Sequence, residues 1–296
     1  MQHGLEAVGL RLLTACARGL PPRLALASGR ALGRLALGLR IRQRVCMSNL
    51  AIAFPGAEHA AERRRVARSA YEHLGVVVFE FLGLARLRRE ELQRRLEVVG
   101  VEQLQASLAR GQGVILATGH YGNWEILSAG LVAHGFPVSV VVQRLHNPAA
   151  EAIVHSARDA LGERSIERGM GLRRVRVELQ SNRILGILCD QDGKKRGVFV
   201  PFFGRSTSTP KGAAQMSRRW GIPFHPAFGQ RLADGRHRLV VHPAVDVPAH
   251  VPEDQAVQQM MARFNTLLEA TIRTDPGQYF WLHRRWKTPE PASSAT

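Results

Sequence analysis

The sequence predicts an α/β protein: a mixed, largely parallel sheet covered by helices. Three observations lead there. Short apolar runs of buried-strand type recur at residues 114–117 (VILA), 138–142 (VSVVV) and 184–189 (ILGILC). Stretches with helical spacing alternate with them, which favours parallel pairing through crossover helices. Asp234-Gly235 sits between segments 225–231 and 237–241 as a hairpin turn, so part of the sheet is expected to be antiparallel. The 296 residues are 45% apolar, ample for a buried core and excluding a mainly disordered chain.

Taken in chain order, residues 5–44 read as two arginine-studded helices parted by Pro21-Pro22, with Glu6 as their only acid. Arginines at 11, 18, 23, 30, 34, 40, 42 and 44 interrupt every apolar run, so neither a spanning helix nor a signal peptide fits. Two readings fit equally: a helical segment lying in a membrane interface, or amphipathic helices packed on the protein's own core. Residues 58–97 read as helical, with Glu62, Arg63 to Arg65 and Arg68 on the solvated face and Val66, Tyr71, Leu74 and Val78 inward. Helices are expected at 124–134, 148–161 and 254–273, and a disordered tail from 288.

Forty-one basic against 24 acidic residues give a net charge of +17, and only Lys194, Lys195, Lys211 and Lys287 of the 41 are lysines. Such a charge suits an anionic membrane surface or a nucleic acid. Cys16, Cys46 and Cys189 form neither a CxxC nor a disulfide framework, and no Cys/His cluster has zinc-ligand spacing. There is no GxSxG elbow, GxGxxG or P-loop. Direct attack by a substrate hydroxyl is therefore favoured over a covalent enzyme intermediate.

The sharpest feature is 119–125, GHYGNWE. His120 follows a buried-type strand, where α/β proteins place ligands. Glu125 is five residues on, about 140° away on a continuous helix, so the two meet only if His120 sits in the turn and Glu125 in the first helical turn. Glu125 is then expected to accept from one ring nitrogen, leaving the other as a general base. The alternative is a buried histidine satisfied by a nearby carboxylate. The helix-opening N–H groups after Gly122 are candidate oxyanion donors. A second constellation, Asp190-Gln191-Asp192 with Lys194, Lys195 and Arg196, lies at another strand's carboxyl end. The apolar 198–203 beside it reads as core strand or as lining for an acyl chain. Residues 280–287 (FWLHRRWK) interleave aromatic and basic side chains, suiting a lipid or nucleic-acid interface or a helix end packed on the domain.

Six segments in order resemble the late acyltransferases of lipid A biosynthesis and their relatives that acylate phosphatidylinositol mannosides. They are 49–55 (NLAIAFP), 120–125 (HYGNWE), Arg144 with Asn147-Pro148, Asp190-Gln191, 197–204 (GVFVPFFG) and 281–287 (WLHRRWK). The resemblance implies a fold of the glycerolipid-acyltransferase type. It implies an enzyme on the cytoplasmic face of a bacterial inner membrane, without metal or redox cofactor. An acyl group would pass from a thioester of acyl carrier protein or coenzyme A to a hydroxyl of a lipid A precursor or related glycolipid. His120 and Glu125 match the family's HX4(D/E) base and partner. Arg158 matches an arginine serving the substrate or transition-state charge, and Arg144, Asn147, Asp190 and Gln191 match recurring substrate-region positions. The expected organisation is a membrane-associating segment at 1–44, an acyltransferase domain at 45–287 and a tail at 288–296. Family members with a clear amino-terminal transmembrane helix differ from this chain, whose corresponding segment is broken by arginines. A lysophospholipid acyltransferase acting on a glycerol hydroxyl is the sister alternative. A basic nucleic-acid-binding protein and an inactive membrane scaffold are the rivals from other classes.

Overall fold

The computed structural model describes residues 2–143, 147, 151, 152, 155, 158, 159, 162–167 and 171–291. Five helices come first: α1 (Gln2–Gly19), α2 (Pro22–Gly38), α3 (Gln43–Ala53), α4 (Ala60–Gly83) and α5 (Arg89–Arg95). Pro22 opens α2 from the first helical position, where its missing N–H costs nothing. Then follow β1 (Leu96–Val99), α6 (Val101–Leu108), β2 (Val114–Thr118), α7 (Trp124–Ala133), β3 (Val138–Val142) and β4 (Arg164–Glu167). The remaining elements are α8 (Leu172–Gln180), β5 (Ile184–Leu188), β6 (Val198–Phe202), β7 (Arg205–Thr209), α9 (Gly212–Trp220), β8 (Phe224–Arg231), β9 (His237–Val241) and α10 (Glu253–Thr274).

Seven strands form one sheet in the order β1-β9-β8-β2-β5-β3-β4, while β6 and β7 make a separate hairpin. β8 and β9 are antiparallel and the other pairs in the large sheet are parallel. The mixed, largely parallel sheet is as expected, and Gly235 (φ +86°) turns the β8–β9 hairpin. Alternation along β2 explains the layers. Ile115 and Ala117 enter a core with Leu179, Ala213 and Phe264, whereas Val114 and Leu116 enter another with Leu104, Leu127 and Leu131. A strand buried on both faces must read as an unbroken apolar run, as this one does.

Three expectations change. Residues 96–99 leave the helical region and become edge strand β1, because Leu96 drops into the core beside Leu127 and Leu131 while the backbone pairs with β9. Residues 281–287 are turns, not a helix end, with Trp281 and Arg285 buried. The expected helix at 148–161 lies mostly outside the described residues, as do 292–296 of the expected tail.

The N-terminal helices pack on the body. A Cβ added at Gly33 would lie 2.0 Å from the Tyr71 carbonyl oxygen, and one at Gly75 would lie 2.0 Å from the Gly29 carbonyl oxygen. α2 therefore lies backbone-to-backbone against α4. Leu24 and Leu35 on the other side of α2, Leu12 of α1, and Leu39 and Ile41 just after α2 are about half to two-thirds exposed. Among the described residues no helix is long and apolar enough to cross a membrane.

Candidate active site

The register of β2 and β5 builds the site. Val114 pairs with Ile184 and Thr118 with Leu188, a constant offset of 70 residues. Carried two residues past the strand ends, the same offset sets His120 opposite Asp190. The His120 backbone N–H donates to Asp190 Oδ2 at 2.8 Å, and His120 Nδ1 lies 2.7 Å from Oδ1. The opposite wall is antiparallel: Gly122 N–H donates to the Gln278 carbonyl and Phe280 N–H to the His120 carbonyl, bridging Tyr121 to Tyr279.

Asp190 is fully buried. Burial pushes its pKa up, but the His120 charge and hydrogen bonds, with the Arg285 charge, hold it below the ordinary value. Arg285, also buried, is tied to the Ser208 carbonyl at 2.6 Å and to Thr209 Oγ1 at 2.7 Å. A carboxylate only accepts, so Nδ1 of His120 carries the shared proton and Nε2 is left as the basic nitrogen. The imidazole is 14% exposed. Burial disfavours its charged form, but Asp190 and, more weakly, Glu125 outweigh that and raise its pKa.

Glu125 does not bond to His120. It forms a two-pronged ion pair with Arg158, Nη2 to Oε1 at 2.7 Å and Nε to Oε2 at 3.2 Å. The expected His120–Glu125 hydrogen bond is thus corrected, and Asp190 takes that place. The reason is local. Asn123 caps α7 by accepting from Ile126 N–H, which sets Glu125 as the second residue of the helix, where its carboxylate meets Arg158. Trp124 lies between them, its ring edge-on to His120 at 4.9 Å and its indole N–H donating to Glu125 at 3.2 Å.

The rest of the motif is scaffolding. Gly122 has φ +62°, and an added Cβ would lie 2.2 Å from the Gly229 carbonyl oxygen, so only glycine fits. Its own carbonyl accepts from His73 Nε2 at 3.0 Å. Burial lowers the His73 pKa to about 4, which keeps that ring neutral. Asn123 donates to Glu80, itself paired with Arg231. Of the expected oxyanion donors after Gly122, Ile126 N–H is engaged within the fold.

Beyond Glu125 lies a cavity of about 80 Å³. Leu116, Leu131, Val138 and Ile187 are among its apolar walls, and Glu125, Arg158 and Glu163 stand on its polar side. It is smaller than the roughly 150 Å³ that accommodates a benzene molecule, so a long acyl chain enters only by widening it. Glu163 is buried, and burial, followed by the neighbouring Glu125 charge, raises its pKa to about 7 despite Arg158 at 3.9 Å.

Of the other expected site residues, Gln191 follows Asp190 and is half-buried, and Asn147 is half-buried at a bend. Arg144 lies outside the described residues. Within residues 198–203, Val200, Phe202 and Phe203 are core, the two phenylalanines packed against Trp286 and Trp281, whereas Pro201 is exposed. Cys189 is buried and its thiol pushed up by burial, which suits no nucleophile. Glu151, His155 and Glu167 bring potential metal-donor atoms within 4.8 Å of one another, with His155 already paired to Glu151 at 2.9 Å. Sequence reasoning missed Glu163 and Arg285 as site residues. The spacing of β2 and β5 from their carboxyl-end acids and bases was the available signal for the His120–Asp190 pair.

The chain is similar in sequence to known acyltransferases. The chain is 29% identical to the lipid A biosynthesis lauroyltransferase of Escherichia coli (strain K12), covering 90% of this chain and 86% of that protein. It is 26% identical to a lipid A biosynthesis acyltransferase of Haemophilus influenzae, over 81% and 74%. It is 28% identical to the phosphatidylinositol mannoside acyltransferase of Mycolicibacterium smegmatis, over 70% and 67%. The model of the bacterial lipid A biosynthesis acyltransferase family matches residues 4–288. With nearly the whole chain matched, this protein belongs to the bacterial lipid A biosynthesis acyltransferase family and is an acyltransferase.

Proposed function

We propose that this enzyme moves a fatty acyl group from a thioester of acyl carrier protein or coenzyme A to a hydroxyl of a lipid A precursor or related glycolipid. The observation that carries the mechanism is the His120 Nδ1–Asp190 bond of 2.7 Å at the carboxyl ends of adjacent parallel strands. Nε2 accepts the acceptor's hydroxyl proton as its oxygen attacks the thioester carbonyl. Asp190 holds the tautomer and stabilises the imidazolium, a general-base contribution of about 10²–10⁴ in rate. The tetrahedral oxyanion collapses to the ester and expels the thiolate, which recovers the proton from His120. The α7 first-turn N–H groups without an intrahelical acceptor are the donors for that oxyanion. Glu125 acts at one remove: its charge favours the imidazolium, and its ion pair fixes Arg158 beside the cavity.

The exposed leucines of α1 and α2, among arginines, support attachment of residues 1–44 to an anionic membrane surface. Location on the cytoplasmic face of the inner membrane follows from that reading and from the family. The test is acyl transfer by membranes carrying the protein. Acyl carrier protein and coenzyme A thioesters are offered with a lipid A precursor, a mannosylated phosphatidylinositol or a lysophospholipid, and products are read by mass. The reading expects one added acyl group on a glycolipid, lost in His120→Ala. Transfer to the lysophospholipid alone would replace the acceptor class, and undiminished transfer by His120→Ala would remove the mechanism.

A further inference from the structure

A second, larger cavity of about 970 Å³ opens beside Asp192 and His283. That volume is in the range of small-ligand sites. Arg40, Arg42, Arg44, Lys194, Arg284 and Lys287 line it, with Asp192 as the one acidic residue in its wall. Six cations against one carboxylate leave a formal charge of +5. All six are exposed, and none takes part in an ion pair among the described residues. Some arginines elsewhere, among them Arg34, Arg158, Arg219 and Arg273, instead hold a glutamate.

The cleft is built, not a loose charged surface. Five non-glycine residues among those described have left-handed φ, and three of them, Arg40 (57°), Arg42 (56°) and Lys194 (54°), line this cavity. Unfavourable backbone of that kind persists only where surrounding structure enforces it. Here the enforcement is visible. Tyr71 hydroxyl donates to the Ile41 carbonyl between the two arginines. Asn49 of α3 donates to the carbonyls of Trp281 at 2.7 Å and His283 at 2.5 Å, locking the α3 wall to the wall formed by 283–287. Asp192 N–H donates to His283 Nε2 at 2.9 Å, and Thr288 donates to Asp192 Oδ2 at 2.9 Å, closing the third side. Asp192 is two residues from Asp190, and His283 in the cleft wall feels the charges of Asp190 and His120, so the cleft adjoins the His120 centre.

We propose that this cleft binds a phosphate group of a substrate, seating it beside His120; the proposal rests on the acyl-transfer reading. Guanidinium and ammonium groups converging without carboxylate partners match phosphate oxygens, arginine by paired N–H bonds and lysine as a point charge. Two sources carry that chemistry: a phosphate on the saccharide headgroup of the acceptor, or the phosphate of the phosphopantetheine arm that bears the acyl thioester.

Equilibrium binding distinguishes them without requiring turnover. The full chain in detergent is titrated with a phosphorylated, acylated disaccharide and with the same lipid after phosphatase treatment. It is titrated separately with an acyl-phosphopantetheine thioether and its phosphate-free pantetheine counterpart. In the wild type at least a 10-fold preference for the phosphorylated member is expected in one pair, and that pair names the source. The preference is expected to fall to about unity in Lys194→Ala/Arg284→Ala/Lys287→Ala. It should persist in a charge-matched control, Arg64→Ala/Arg88→Ala/Arg205→Ala, with thermal melts verifying that both fold. Absence of preference in both pairs, its survival in the cleft variant, or equal loss in both variants overturns the proposal. So does a cleft variant that keeps the preference in detergent but loses binding to vesicles of phosphatidylglycerol, which would reassign the cations to the membrane. Phosphate-selective binding without acyl transfer to any acceptor would sink the enzymatic reading and leave the cleft standing. Transfer without phosphate selectivity would do the reverse.

Discussion

The two ends of the HYGNWE segment enter two buried ionic centres of opposite balance. At His120, a single carboxylate, Asp190, is surrounded by an imidazole, two hydrogen bonds and the Arg285 charge, and it is held ionised. At Glu125, one guanidinium serves two carboxylates, and the second, Glu163, is pushed up to about 7. Anion compensation thus fixes a charge at one end and leaves a protonatable acid at the other. The difference teaches that the motif's histidine and glutamate are not one dyad. They are the nearest members of two centres joined through Trp124.

Removing the base gives the largest effect: His120→Ala is expected to lower kcat by about 10²–10⁴. Asp190→Asn should come next, because it keeps the shape and removes the charge. Neutral His120 is the active form, so activity rises with pH through its raised pKa. Without the Asp190 charge, burial dominates and lowers that pKa, so the acid limb of the pH–rate profile should move to lower pH while the plateau falls. An unmoved limb would show that Asp190 does not govern the base, and the two-centre division would fail.

A double-mutant cycle sharpens the other centre. Glu125→Gln and Arg158→Lys should each lower kcat/KM, and the double variant should lose less than the sum, since the residues share one two-pronged bond. Strict additivity would separate them. The smallest activity effect is expected at Glu163, whose signature is stability. The native state keeps its proton up to about pH 7, whereas an unfolded glutamate loses it near 4.5. Native protein therefore binds more protons in that window, and stability falls as pH rises across it, by on the order of 3 kcal/mol. Glu163→Gln should remove that slope and melt higher than wild type at pH 8, yet match it near pH 4. Melting curves that stay parallel at both pH values would place Glu163 outside the second centre.

Much of this was legible because burial leaves a period in the sequence. The β2 run, the β5 run and the Asp-Gly hairpin declared themselves, and both His120 and Asp190 were placed at strand ends. What the sequence hid was pairing. The expected partner of His120 was the carboxylate five residues away, whereas the sheet register supplied one 70 residues away. Short-range spacing carries no information about which parallel strands become neighbours. Edge strands β1 and β4 were missed for a related reason. Leu96–Val99 and Arg164–Glu167 are four residues each and only partly buried, so tertiary pairing decides their state. Arg285 lies in a stretch that reads as an interface or as a helix end packed on the domain; it is buried, its charge acting on Asp190, while its neighbours Arg284 and Lys287 are exposed.

The glycine seam between α2 and α4 has a mechanical consequence. With Gly33 and Gly75 in backbone contact, α2 has no room to roll or lift without breaking the fit. α4 in turn holds the motif through His73 and Glu80. Leu24 and Leu35 on the outer side of α2 are thus rigidly coupled to the imidazole, like the foot of a depth gauge to its needle. Any surface on which those leucines settle finds His120 at a fixed height, set by the fold and not by the slack of a tether.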